Sequence, residues 1–127
     1  MYRKGTKPAI APKEFKFSEK LKLSTKNRWV IMAELMPWEE FEEEYAQNFP
    51  SETGAPAKSF RIALGSLIIK EKLGLTDRET VEQIRENPYL QYFIGLKEYQ
   101  EEVELDASSL VNFRKRLKIS NRFRIIE

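Results

Sequence analysis

The chain reads as an all-α domain, and three observations predict it. Apolar residues recur at spacings of three and four over most of its length. Helix-capping residues stand where those runs begin. No segment longer than a few residues alternates as a strand would, and no internal repeat is visible. The 127 residues fit one domain able to bury its own core. Breakers and charge divide them into a basic flexible arm over 1–26, a helical domain over 27–119 with a helix-turn-helix-like pair, and a tail over 120–127.

The arm holds Pro8, Pro12 and many lysines, with a short extended piece expected around Phe15 and Phe17. Asn27 is placed to cap a first helix carrying Trp29, Val30, Met32, Ala33 and Met36. Pro37 interrupts that helix and suits the first position of a second one, WEEFEEEYAQNF, ending near Phe49. There Trp38, Phe41, Tyr45 and Phe49 form one apolar stripe and the glutamates take the other face. Residues 50–56, PSETGAP, read as a loop.

The run Lys58–Leu73 is apolar on more than one face, which predicts the most buried helix. Gly65 inside it weakens the helix by about 1 kcal/mol relative to alanine and predicts a close crossing by another helix. Gly74 suits a left-handed cap, and Thr76-Asp77-Arg78-Glu79 then reads as a capping box. The helix it opens buries Val81 and Ile84 and stops at Asn87. Asn87-Pro88 starts a short helix burying Leu90, Phe93 and Ile94, which ends at Gly95. After an acidic loop over 97–106, Ser108 or Ser109 is expected to cap a last helix. Its inward residues are Leu110, Phe113 and Leu117.

Composition narrows the chemistry. The chain has no cysteine and no histidine, which removes disulfides, thiolate metal sites and the commonest neutral-pH proton carrier. No stretch approaches a membrane span and no leader is evident, so the expectation is a cytoplasmic protein with no membrane partner. Neither a cofactor nor a metal is expected, because phosphate loops, nucleophile elbows and zinc spacings are missing. The acidic run Glu39, Glu40, Glu42, Glu43 and Glu44 fans around a helix instead of converging, so it reads as a solvated face.

Net charge is only +2, but it is segregated. Residues 1–28 hold nine bases against two acids, residues 29–57 seven glutamates and no base, and residues 108–127 six bases against one acid. Basic ends of this kind can hold a phosphate backbone. Within the helical pair Lys58–Leu73 and Thr76–Glu86, the second helix would read DNA in the usual arrangement. Its Asp77, Glu79, Glu82 and Glu86 outnumber Arg78 and Arg85, and phosphates repel them, so this pair reads as core. The last helix is the better DNA candidate. Arg114, Lys115, Arg116 and Lys118 spread through roughly 400° of helix, and Arg122 and Arg124 extend the cluster. Arg114 or Arg116 has an internal alternative, a carboxylate such as Asp106. The arm from Arg3 to Lys26 adds non-specific grip.

From Gly54 to Leu117 the chain resembles the N-terminal domain of bacterial DDE transposases of the insertion-sequence-five (InsH-like) group. The run GAPAKSFRIALGSLIIKEKLGLTDRETVEQIRENPYLQYFIGL is similar to that family's long apolar helix, its G-L-[ST]-D-[RE] turn and its N-x-x-L-Q-x-F-[IL]-G-L segment. Asp106, Ser108, Leu110, Phe113, Arg114, Arg116 and Leu117 match its closing D-x-S-x-[LF]-x-x-F-R-x-R-[LF] signature. The resemblance implies a helical domain that binds double-stranded DNA at the element's terminal inverted repeats and assists multimerisation, as a homo-oligomer or with full-length transposase. In full-length relatives an Asp-Asp-Glu domain holding two divalent metals follows, and no catalytic residue carries over to this chain. The alternative is a protein–protein interaction module, such as a truncated transposase that dimerises with the full-length protein and inhibits it.

Overall fold

The computed structural model describes residues 10–17, 22–48 and 60–117, the side chains of 45–48 excepted. Among them are a short 3-10 helix (Pro12–Glu14), six α-helices and no named strand: α1 (Arg28–Leu35), α2 (Trp38–Asn48), α3 (Phe60–Leu73), α4 (Asp77–Glu86), α5 (Pro88–Phe93) and α6 (Ala107–Leu117). The all-α expectation is met. Residues 49–59, which include the loop over 50–56 and the expected helix start at Lys58, lie outside the described residues, as do 1–9, 18–21 and Lys118 onward.

The central helix is α3, packed against α2, α4 and α6. Every residue from Ala63 to Ile69 is buried. That is nearly two turns without an exposed face, as the apolar wrap of its sequence requires. Gly65 is where another segment comes closest. A Cβ there would lie 3.1 Å from Ile94 Cγ2 and 3.3 Å from Ile94 Cα. The crossing partner is therefore the chain leaving α5, not the body of a helix.

Caps set the boundaries. Asn27 accepts from Trp29 N to start α1. Pro37 stands one place earlier than expected: its carbonyl accepts the first helical bond, from Phe41 N at 3.2 Å, and α2 begins at Trp38. Gly74 adopts φ +65°, and Thr76 and Glu79 form the reciprocal box that opens α4. Asn87 accepts from Tyr89 N and Leu90 N to open α5. The last cap differs from expectation. Asp106, not Ser108 or Ser109, precedes α6, and its Oδ1 accepts from Ser109 N at 3.0 Å and from both serine hydroxyls. A carboxylate can take all three donors at once, which one hydroxyl cannot.

Part of the lysine-rich segment assigned to the arm belongs to the fold. Phe15 and Leu23 are buried in the core. Tyr92 Oη donates to Ile10 O at 2.9 Å, Phe15 meets the Tyr92 ring edge-on, and Ser24 N donates to Tyr89 Oη at 2.9 Å. The extended piece expected near Phe15 is present as a single parallel bridge between Lys16 and Glu98. Beneath it Trp29 and Trp38 both stand edge-on to Phe93, at 5.1 and 5.4 Å, which joins α1 and α2 to α5.

Candidate nucleic-acid interface

The geometry of α6 follows from its apolar residues. Leu110, Phe113 and Leu117 are buried against α3 and α4, so the opposite side must face outward. Ser108, Val111, Asn112, Lys115 and Arg116 are all exposed. Of the five described helices with eight or more residues, α6 is the only one without a carboxylate.

Arg114 is placed differently from its neighbours. It is half-buried and binds Asp77 through two parallel bonds, Nη1 to Oδ1 at 2.7 Å and Nη2 to Oδ2 at 2.9 Å. This fork ties α6 to the first turn of α4 and fixes its rotation. The two hydrogen bonds from Arg114 hold the Asp77 carboxyl below its usual pKa, and Lys70 at the end of α3 adds to the effect. The internal partner foreseen for Arg114 or Arg116 was a carboxylate such as Asp106. The structure gives Arg114 Asp77 instead, while Asp106 accepts from Ser108 and Ser109 through its Oδ1. These bonds depress the Asp106 pKa as well. Lys115 and Arg116 remain outward. Lys118, Arg122 and Arg124 lie outside the described residues, as do Arg3, Lys4, Lys7 and Lys20, whereas Lys13, Lys16, Lys22 and Lys26 are exposed.

Within the helical pair α3–α4, it is α4 that presents the opposite charge. Glu79, Glu82 and Glu86 are exposed on α4, and Arg85 donates to Leu105 O at 2.8 Å. On α2, Glu39, Glu40 and Glu43 face solvent, as expected, but Glu42 is buried. No three carboxylates among the described residues gather to hold a metal ion.

One positioning residue escaped the sequence reading. Gln91 is fully buried: its amide nitrogen donates to Ile84 O and Gln100 O, both at 2.9 Å, and its carbonyl accepts from Gln100 N at 2.8 Å. It thereby fastens the acidic loop to the junction of α4 and α5, and that loop delivers the chain to α6. A polar residue among apolar neighbours, Leu90-Gln91-Tyr92-Phe93, is the signal that could have found it.

These features define a helical domain with charges of opposite sign on separate helices. The chain matches the family model described as Transposase domain (DUF772) over residues 17–116, and it belongs to that family. This bears out the resemblance seen between Gly54 and Leu117. The chain is also 38% identical over 88 residues to the "Uncharacterized protein ORF8 in nfe locus" of Rhizobium meliloti. That alignment takes in 69% of this chain and 42% of the relative, so the chain spans less than half of the relative's length. No solved structure matches. No described helix is long and apolar enough to cross a membrane.

Proposed function

We propose that this transposase-family domain binds duplex DNA through the outward face of α6, as the part of a transposase that engages the element's terminal inverted repeats. The observation that carries this reading is that α6 alone, among the longer described helices, joins exposed bases to a complete lack of carboxylates. Phosphates attract Lys115 and Arg116 and meet no opposing charge on the same helix. The apolar residues below and the Arg114–Asp77 fork keep the helix from turning those bases inward. In sequence, Lys118, Arg122 and Arg124 continue the basic run, and the lysines between Arg3 and Lys26 supply non-specific grip. No catalytic step is assigned to this chain, and its location is read as cytoplasmic.

The test is fluorescence anisotropy on a labelled duplex across a salt series, comparing the parent with Lys115→Ala/Arg116→Ala. Each phosphate contact contributes about 0.9 to the slope of log K against log[salt], so the double variant should show a slope smaller by about 2. Its thermal midpoint should match the parent's, since both side chains are exposed. Equal affinity for the two proteins at low salt would remove α6 from the interface.

A second reading, the interaction module that dimerises with a full-length transposase and inhibits it, draws on a different helix. Ile31 and Leu35 lie one turn apart on α1 and are 45% and 76% exposed. Apolar side chains placed so favour a protein contact. Self-association that persists in Lys115→Ala/Arg116→Ala, with no duplex bound by the parent, is the outcome this reading expects.

A further inference from the structure

Two residues of the outward face of α6 are not those that an idle helix surface favours. Val111 and Asn112 stand mid-helix, away from both ends of Ala107–Leu117, and both are exposed. A β-branched residue and an asparagine are weaker helix formers than the Ala, Glu or Lys that an idle surface would accept. Asn112 is too far from either terminus to cap anything, and Val111 faces away from the core formed by Leu110, Phe113 and Leu117. Local preferences set aside on an outward face are expected where a side chain is kept for binding.

Their placement suggests what they meet. At roughly 100° per residue, Ser108 and Lys115 run along the middle of the outward face, with Val111 and Asn112 about 50° to either side and Arg116 beyond Asn112. The other side is closed by Arg114, clamped to Asp77. A single helix presenting this face fits the major groove, which is about 12 Å wide. We propose that α6 is the groove-reading helix. Asn112 takes an adenine edge through paired bonds to N6 and N7, Val111 packs on a thymine methyl, and Lys115 and Arg116 grip the flanking phosphates. The exposed Glu101, Glu102 and Glu104 precede its N-terminal end and are repelled by phosphate. They turn that end away from the backbone and bring the stretch from Val111 to Arg116 to the groove. The proposal rests on the DNA-binding reading above and adds the residues that would read sequence.

The experiment is selection from a randomised duplex library on the parent, on Asn112→Ala and on Val111→Ala. Each variant is then titrated with the parent-selected duplex and with a scrambled duplex of equal composition. The parent should enrich a motif. Asn112→Ala should bind the selected duplex about tenfold more weakly and lose preference at one adenine. It should bind the scrambled duplex as the parent does. Val111→Ala should relax preference at a neighbouring thymine. Both variants should keep the parent's helical circular dichroism, because alanine favours a helix at these positions. Salt-dependent duplex binding without any enriched motif would overturn the groove-reading role and leave DNA binding intact. A motif unchanged in both variants would overturn it too. A parent that binds no duplex would overturn the DNA-binding reading and this one with it.

Discussion

Arg61 shows how one side chain can hold three elements together. It leaves α3, and its guanidinium donates to Phe93 O at 2.9 Å and Tyr92 O at 3.1 Å while lying 4.7 Å over the Trp38 ring. The two carbonyls belong to the last turn of α5, the negative end of that helix, so a cation there meets the dipole and gives each carbonyl a charged donor, in addition to the Gly95 N–H that already bonds Tyr92 O. Burial pushes its pKa down to about 10, which leaves it charged at neutral pH. Gly95 must be small beside it: at φ +95° a Cβ would meet Arg61 Cδ at 3.0 Å. A lysine keeps the charge but cannot donate through a planar fork or stack on the ring. Arg61→Lys should therefore cost about 2 kcal/mol in urea unfolding. An unchanged midpoint would mean the fork contributes nothing. None of this was legible in the sequence, because partners 31 and 32 positions apart leave no local trace.

At the scale of the element, the caps were the most legible feature, since each acts within four residues. Thr76→Ala should destabilise the domain by about 1 kcal/mol in chemical denaturation, and Glu79→Ala should weaken the same box. Unchanged midpoints for both would refute the cap. The α6 cap was misplaced because Asp106, Ser108 and Ser109 are all cap formers within four positions. Only the three-donor geometry chooses among them. The Asp77–Arg114 bond had no such signal, spanning 37 positions. It does have a pH signature. Because the folded state lowers the Asp77 pKa, the bond stabilises the domain above the usual carboxylate range near 3.8. That contribution fades as pH falls through the lower folded value. Asp77→Asn should lose stability at neutral pH, and its acid unfolding limb should be shallower than the parent's in a series of thermal melts below pH 4. An identical acid limb would contradict the assignment. Asp106, depressed in the same direction by its serine bonds, acts in the same sense.

Across the whole molecule, composition misled only where it averaged over unlike residues. A lysine-rich stretch reads as an arm, yet two of its apolar residues, Phe15 and Leu23, fill the core beside α5. The burial of α3 and the acidity of α4 were legible, because hydrophobic periodicity and charge are properties of runs. What the fold adds is the sorting of charge: acids outward on α2 and α4, bases outward on α6. The account stands or falls on which of these faces meets DNA, and backbone amide shifts during titration with a short duplex test it most directly. The predicted result is perturbation concentrated at Val111, Asn112, Lys115 and Arg116, with Glu79, Glu82 and Glu86 unmoved. Shifts confined to α4, or to Ile31 and Leu35 on α1, with α6 silent, would contradict it.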